Sequence, residues 1–478
     1  MQQLELADIQ ALLRHGYPYF NSVTYFLMRI DDPVAAADWL EELHRDWIDS
    51  AKIHARELLD RTADDRCGVA IAFTPSGLRQ LGLSAEAMET FVSEFQQGIA
   101  APQRSRALGD VANNSPAGWK WGKPGDNAER IDVLLMVFAR PDDLKTCDYV
   151  AQIRQIRGCP YVVHELHGTR GDSEPFGFVD GISQPYIEGF DSHSVRSGDG
   201  EVPVRAGEFV LGYLNEFDER PASPSVRMTE DPQRMLPFCK DGRSDLGRNG
   251  TFLVLRQLRQ DVEAFNKLVA NDPRLAARMV GRWPSGASLV QYPKEDPRPR
   301  QPGQGHPGAR GALAQLEAEN HFGYQRDDRH GFRCPIGAHV RRANPRDSLA
   351  DDDTDPQEAE ALVRRHRILR RGRRYKDDDG YEGILFMALN ANIERQFEFV
   401  QQNWILSREF DSLHDESDPL LGSENSGATR TMTIQKPWRN ECVQGLAQFV
   451  TVKGGGYFFL PGLTALKYLA AKASGRNA

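Results

Sequence analysis

Short apolar runs followed by polar-capped helical stretches recur four times along this chain. An Asp or Asn before a helix accepts hydrogen bonds from the unpaired amides of the first turn, so each one marks a helix start. The predicted strand–helix units pair Ser22 to Ile30 with Val34 to Asp49, Ile131 to Ala139 with a helix through Ile156, Thr251 to Leu258 with a helix to Ala270, and Gly383 to Leu389 with Asn392 to Trp404. Further strand candidates are residues 68–73, 161–164, 209–213 and 449–453.

Two such units in each half predict an α+β fold of two ferredoxin-like domains, each an antiparallel sheet with peripheral helices. The stretch 189–208, rich in Ser, Gly and charge, is typical of a connection between domains. We therefore expect an N-terminal domain over residues 1–200 and a C-terminal domain with loop insertions over residues 201–478.

Composition and charge narrow the class of protein. The 478 residues are 40% hydrophobic and 27% charged, as in globular proteins. A net charge of −9 argues against a nucleic-acid partner, because phosphate binding requires a basic field. Neither a signal peptide nor a membrane-length apolar run is recognisable, so no membrane partner is expected. Six cysteines without a Cys-x-x-Cys pair favour reduced thiols and a cytoplasmic location.

One histidine stands in an unusual setting between Gly331 and Arg346. His339 lies between a run of small residues and a cluster of arginines. An imidazole can ligate the iron of a porphyrin, while guanidinium groups neutralise its two propionates. The alternative is a histidine that only bridges backbone carbonyls in a basic loop. A second motif upstream favours the porphyrin.

That second motif lies between Glu174 and Pro185, where Asp180 is flanked by aromatic residues, glycines and prolines. Glycine permits close approach of the backbone to a flat ligand, and proline stiffens the flanks. A carboxylate fixed beside apolar side chains is expected to have a raised pKa and to exchange protons near neutral pH. The alternative is an ordinary Asp-Gly turn, for which apolar neighbours on both sides are unusual.

Taken together, these segments resemble the dye-decolorizing peroxidases, a family of haem enzymes. The family's Gly-x-x-Asp-Gly motif matches Gly177 to Gly181, in the last part of the predicted N-terminal domain. Its proximal histidine followed by Arg and Asn-Pro-Arg matches His339, Arg342 and 344–346, and its distal arginine best matches Arg370. Residues 383–386, 393–399 and 454–462 agree as well, so the resemblance spans nearly the whole chain. It is greatest to the larger bacterial branch.

The resemblance implies haem b as the cofactor, with His339 as the iron ligand and Asp180 and Arg370 as the catalytic pair. The acid moves a proton between the peroxide oxygens, and the guanidinium stabilises the charge on the departing oxygen. Arg370 also belongs to the expected cofactor contacts, of which the others are Gly181, Ile182, Ser183, Arg342, Asn344, Arg346, Leu385 and Phe386.

The implied activity is reduction of hydrogen peroxide with oxidation of dyes, phenols or similar one-electron donors through a ferryl intermediate. The implied fold is the dimeric α+β barrel type, and the implied assembly is a homodimer. A haem-binding sensor or carrier is the alternative function, and it needs neither Asp180 nor Arg370. A chlorite-dismutase-like enzyme is a further alternative, which would not depend on the acid.

Several residue assignments stay open at this point. Arg367 and Arg371 compete with Arg370 for the distal position. Cys334 offers a thiolate as a rival iron ligand, although a buried free thiol is the preferred interpretation. The acids that could accept the second ring proton of the histidine are Glu394, Glu398 or a more distal residue. The aromatic residues that could pass electrons inward from bulky donors are Tyr375, Trp404, Trp438 and Tyr457.

Overall fold

A computed structural model of the chain describes most of its length. The described residues are 3–53, 67–125, 127–139, 144–190, 202–239, 241–270, 272–299, 319–349, 354–423 and 430–475. The strands are β1 (Ser22–Arg29), β2 (Gly68–Phe73), β3 (Val133–Ala139), β4 (Tyr161–Thr169), β5 (Ser225–Arg227), β6 (Arg243–Asp245), β7 (Thr251–Gln260), β8 (Leu369–Arg370), β9 (Arg373–Lys376), β10 (Glu382–Asn390), β11 (Thr431–Ile434), β12 (Glu441–Gln444) and β13 (Val450–Leu460).

Helices connect these strands. They are α1 (Ala11–His15), α2 (Pro33–Asp46), α3 (Pro75–Gln80), α4 (Ala85–Glu89), α5 (Ser93–Gln97), α6 (Pro102–Ala107), α7 (Leu144–Gln155), α8 (Val262–Val269), α9 (Pro273–Val280), α10 (Tyr324–Asp328), α11 (His339–Ala343), α12 (Pro356–Arg364) and α13 (Leu463–Ala473). Two π-helical segments, Glu394–Glu398 and Val400–Ile405, follow β10. No helix in these ranges combines the length and apolarity needed to cross a bilayer.

The main sheet consists of two antiparallel groups with the same strand order. The first group runs β2-β3-β1-β4, and the second, read in the matching direction, runs β9-β10-β7-β13. The short strand β8 also lies beside β10. The groups join where Phe73 pairs with Phe459 and where Thr169 pairs with Arg374. Since β7 also pairs with β10, the eight strands close into a barrel. The predicted α+β fold of two ferredoxin-like units is confirmed.

Strand alternation divides the core into two layers. On β1, Phe26 and Met28 belong to the cluster that includes Trp39 of α2 and Leu466 of α13, outside the barrel. Tyr25 lies in the other cluster, with interior side chains from strands of both groups. The strands are therefore buried on both faces, which explains their nearly continuous apolar sequences.

Most predicted elements agree with the structure, but the strand at 209–213 is wrong. The amides of Phe209 and Val210 both donate to the carbonyl of Ala206, and Gly212 has a φ of 92°. The segment is thus a buried turn, and its apolar residues pack without a strand partner. The two groups of main-sheet strands end and begin at Thr169 and Thr251, but the expected boundary at residue 200 lies outside the described residues.

Candidate active site

Both sequence motifs line one cavity of about 270 Å³ beside the second group of strands. Ile384 and Phe386 of β10 and Leu258 of β7 form part of an apolar wall. Phe176 and Phe178 of the upstream motif add to it. The polar side chains that also line the cavity are Glu174, Asp180, Ser183, Gln260, Arg282, Tyr324, His339, Asn344, Arg346, Arg367, Arg370 and Gln401.

His339 is the first residue of α11, and its side chain is 26% exposed toward this cavity. Its Nδ1 lies 2.9 Å from Oδ2 of Asp418, whose side chain is fully buried. The amides of Leu420 and Leu421 donate to the other carboxylate oxygen and fix its position. A carboxylate at Nδ1 leaves the Nε2 lone pair for a metal.

His339 and Asp418 each shift the pKa of the other in the direction opposite to the effect of burial. Burial by itself lowers the pKa of His339, but the charge and hydrogen bond of Asp418 outweigh it and raise that pKa. Burial likewise acts to raise the pKa of Asp418, and His339 brings it below its usual value. Of the acids that the sequence left open, the partner is the more distal one, Asp418, and Glu398 pairs with Arg104 instead.

Asp180 and Arg370 lie together, with Oδ1 of the acid 3.3 Å from Nη1 of the guanidinium. The other terminal nitrogen of Arg370 donates to the carbonyl of Ile182 at 2.9 Å. The Asp180 side chain is 52% exposed, so the apolar residues of its motif flank it without enclosing it. The acid faces a second cavity and solvent, and its charge is balanced by a guanidinium instead of being desolvated.

The backbone of the upstream motif explains its glycines. Gly177 and Gly181 have φ values of 97° and 90°, which disfavour any residue with a Cβ atom. Space does not select glycine at these positions, because a Cβ there would meet no atom within 4 Å. Glu174 accepts hydrogen bonds from the amides of Phe176 and Phe178 and from Gln260, and so holds this turn against β7.

The three competing arginines have different positions. Arg370 contacts the acid, whereas Arg367 donates to the carbonyl of Ser183 at 2.8 Å and lines the same cavity. Arg371 does not line this cavity, and it donates to the carbonyls of Leu13 and Arg14 near α1. Arg370 is thus the arginine of this group that the structure brings to Asp180.

A pair of guanidinium groups, Arg282 and Arg346, lines another part of the cavity. Both donate to Oδ1 of Asn320, and Arg346 stacks on Phe322 at 3.9 Å. Burial and the charge of Arg346 lower the pKa of Arg282 to about 10. Within the described part of the chain neither forms an ion pair with a carboxylate, so their charge is available to an anionic ligand. The sequence analysis missed Arg282, which no motif marks.

Three expected cofactor contacts need correction. Arg342 is buried away from the cavity, where it donates to the carbonyls of Trp404, Ser407 and Glu416. Leu385 belongs to the barrel interior, because alternation on β10 sends its neighbours to the cavity instead. Gly181 lines the adjoining cavity and not this one. Ile182, Ser183, Asn344, Arg346, Arg370 and Phe386 do line the cavity.

Cys334 does not line the cavity, and burial raises the pKa of its thiol to about 12. This environment disfavours the thiolate that iron ligation requires. Among the aromatic candidates, Trp438 is 98% exposed near the tip of the β11–β12 hairpin. The buried candidates are Tyr375, Trp404 and Tyr457.

The residues present fit a haem. The described residues contain no group of three or more His, Cys, Asp or Glu side chains able to hold a bare metal ion. One imidazole suffices for an iron that already carries four porphyrin nitrogens. The apolar walls suit the macrocycle, and the unpaired charges of Arg282 and Arg346 suit its propionates. Oδ1 of Asn344 is buried without a partner in the same wall.

Comparison with known proteins agrees with this geometry, although no family model matches the chain. Dye-decolorizing peroxidase msp1 of Mycetinis scorodonius is 28% identical, over 97% of this chain and 87% of that protein. Multifunctional dye peroxidase DyP2 of an Amycolatopsis strain is 28% identical, over 88% of this chain and 86% of that protein. These relatives are fungal and bacterial, so the bacterial branch stays a prediction.

Solved structures extend the similarity to the fold. An ancestral D-type dye-decolorizing peroxidase is 28% identical, with a TM-score of 0.74 over 98% of this chain and 99% of that one. A fungal peroxidase of this type from Auricularia auricula-judae is 24% identical, with a TM-score of 0.74 over 98% of this chain and all of that one, and it shows the fold alone. In sequence and in fold, this chain is therefore similar to the dye-decolorizing peroxidases, and it is a peroxidase.

Proposed function

We propose that this protein binds haem b in the cavity lined by His339, Asp180 and Arg370. It reduces hydrogen peroxide there and oxidises dyes, phenols or similar one-electron donors. One observation supports this proposal above all. The imidazole of His339 contacts a buried carboxylate and lines the same cavity as Asp180 and Arg370.

Each residue has a role that follows from its contacts. Nε2 of His339 would hold the iron, and Asp418, as acceptor of the Nδ1 proton, would keep the ring in the ligating tautomer. Arg282 and Arg346 line the cavity and would bind the propionates. Bound haem supplies the redox-active iron at which peroxide reacts.

The chain supplies proton transfer and charge stabilisation. Asp180 takes a proton from the inner peroxide oxygen and returns it to the outer one, which leaves as water. Arg370 stays charged at any working pH and stabilises the negative charge that develops on the departing oxygen. Their ion pair at 3.3 Å holds both groups at one point of the cavity wall.

The test compares His339→Ala with His414→Ala, which removes an exposed histidine outside the cavity. We expect the parent and the His414 variant to retain haem, to show a Soret band that changes with peroxide, and to consume a phenolic donor. His339→Ala should lose haem. Normal haem content in that variant would refute the ligand assignment. A parent that binds haem but consumes neither peroxide nor donor would be a carrier instead of an enzyme.

Location and assembly are proposals of the same kind. A cytoplasmic location is supported by the cysteines of the described segments, of which Cys67, Cys159, Cys239, Cys334 and Cys442 are free thiols. A homodimer is proposed from the family resemblance, and light scattering of the haem-loaded protein tests it. A scattering mass equal to that of one chain would refute the dimer.

A further inference from the structure

A second cavity of about 410 Å³ adjoins the first and has a different character. Asp180 and Arg370 line both cavities and therefore lie at their junction. The second cavity also has exposed lining residues, Thr169 and Gly171, so it opens to solvent. We call this second cavity the vestibule.

The lining of the vestibule is strongly cationic. Its arginines are Arg14, Arg170, Arg370, Arg371, Arg373 and Arg374. Its carboxylates are Glu174 and Asp180. The carboxylate of Glu174 is hydrogen-bonded to two backbone amides and to Gln260, and Asp180 pairs with Arg370. Arg14, Arg373 and Arg374 thus add positive charge to a lining whose two carboxylates already have partners.

Backbone carbonyls hold these guanidinium groups without neutralising them. Arg373 donates to the carbonyls of Gly16 and Tyr17, and Arg14 donates to the carbonyl of Ala51. The Nε atoms of both arginines are buried and have no hydrogen-bond partner. Carbonyls satisfy donors but do not cancel a full charge, so the cluster keeps a positive potential.

Arg373 shows the electrostatic cost of this arrangement. Burial lowers the pKa of Arg373, Tyr25 opposes this shift, and the charge of Arg170 adds a smaller lowering than the opposing effect of Tyr25. In the described residues no carboxylate lies within ion-pair distance of Arg14, Arg373 or Arg374. Like charges buried side by side are expected to bind an anion, which relieves their repulsion.

A purely structural role explains only part of the cluster. Arg371 and Arg373 fasten the end of α1 and the turn after it to β9. Among the described residues, Arg374 makes one long hydrogen bond, 3.5 Å to the carbonyl of Ser173, and it packs against Gly171. Its guanidinium group is therefore not required to hold the fold, yet the chain places it at the solvent side of the vestibule.

We propose that the vestibule binds the anionic group of an organic electron donor, such as a carboxylate or sulfonate, and so presents the donor's ring to the distal cavity. This inference rests on the proposed peroxidase function. Each bound phenolic donor gives up one electron and its phenolic proton. Two donors together reduce one hydrogen peroxide to two waters, so electrons and protons balance.

The kinetic test uses two donors that share a ring and differ in charge, 4-hydroxybenzoate and its neutral methyl ester. The variant is Arg374→Gln, with Arg374→Lys as the conservative variant. Arg79→Gln is the matched control, because it removes an exposed charge that lines neither cavity. We expect Arg374→Gln to raise the KM for 4-hydroxybenzoate about tenfold more than the KM for the ester, as for loss of one charge-assisted hydrogen bond. Arg374→Lys should restore part of the difference.

A binding test works without turnover. Naphthalene-2-sulfonate is titrated calorimetrically into the haem-loaded protein at low and high salt. We expect the parent and Arg79→Gln to bind it, with affinity that falls as salt increases, and Arg374→Gln to bind it about tenfold more weakly. Absence of binding in the parent, or equal loss in both variants, would overturn the proposal.

The two tests separate the failure of this inference from that of the proposed function. No turnover of either donor, together with salt-dependent sulfonate binding, would refute the function and support the anion site. Turnover with equal KM changes for acid and ester would refute the donor site and leave the peroxidase intact.

Discussion

At the scale of single residues, the site depends on a few charged groups whose partners differ in kind. His339 is paired with a buried carboxylate, whereas Asp180 is paired with a guanidinium at the junction of two cavities. The first pairing fixes a tautomer, and the second keeps an acid and a permanent cation within reach of one another. Substituting each residue of the second pair should therefore affect turnover more than haem retention.

Replacing Arg370 with leucine should keep haem bound, because His339, Arg282 and Arg346 are untouched. The reaction with peroxide should slow by about 10²- to 10³-fold, the cost of removing one group that stabilises developing charge. Stopped-flow absorbance after mixing with peroxide measures this rate. Arg367→Leu is the comparison, since Arg367 lines the same cavity but contacts the carbonyl of Ser183. An equal effect of both substitutions would remove Arg370 from its assigned role.

Replacing Asp180 with asparagine keeps the shape of the side chain and removes its ability to carry a proton. Turnover should fall by about 10²- to 10⁴-fold, the usual contribution of a positioned proton-transfer group. Haem absorbance of the resting protein should match the parent. Steady-state turnover of a neutral phenol measures the effect, and parental turnover would show that another group transfers the proton.

At the scale of elements, one turn and one strand position most of the site. On β10, Ile384 and Phe386 reach the cavity while Leu385 enters the barrel, as period-two alternation requires. The turn after Glu174 depends on that carboxylate, which accepts two amide hydrogen bonds. Burial raises the pKa of Glu174, although its hydrogen bonds act in the opposite direction.

The raised pKa of Glu174 predicts how the stability changes with pH. The folded protein binds this proton more tightly than the unfolded chain does, so the stability contribution is greatest at low pH. It is lost as pH rises from the unfolded pKa of about 4.3 through the folded value. In Glu174→Gln this loss is absent.

Urea unfolding of both proteins over this pH range measures the difference. The free energy of unfolding of Glu174→Gln minus that of the parent should increase with pH and then level off. A difference that does not change with pH would show that the pKa of Glu174 is the same in the folded and the unfolded protein.

At the scale of the whole molecule, the two ferredoxin-like groups share one closed barrel. Trp121 lies in the connection between β2 and β3, yet its Nε1 donates to Gln257 of β7 at 2.9 Å. Its ring also lies where a side chain on Gly454 of β13 would stand. A tryptophan from the first half is therefore packed against strands of the second half.

Replacing Trp121 with phenylalanine removes that hydrogen bond and leaves the buried Oε1 of Gln257 without its donor. The free energy of unfolding should fall by about 1–3 kcal/mol, the cost of an unsatisfied buried polar group. Urea denaturation measures it, with Trp438→Phe as the control. Trp438 is 98% exposed, and its substitution should change stability by less than about 0.5 kcal/mol. Similar losses in both variants would contradict the bridging role of Trp121.

The sequence by itself determined the strand–helix order, the doubled α+β fold and the two motifs that contain His339 and Asp180. These features are local, because helix caps, strand runs and glycines with positive φ act through neighbouring residues. The turn at 209–213 was missed since a buried turn and a short buried strand have the same apolar composition.

Only the tertiary structure decided which distant side chains meet. Asp418 lies 79 positions after His339, and no spacing rule connects them. Arg282 lines the cavity because helix α9 ends beside it. Arg342 does not line the cavity, because its guanidinium donates to buried carbonyls. Such contacts depend on how the closed barrel brings remote segments together, and a linear sequence records residue types without recording those distances.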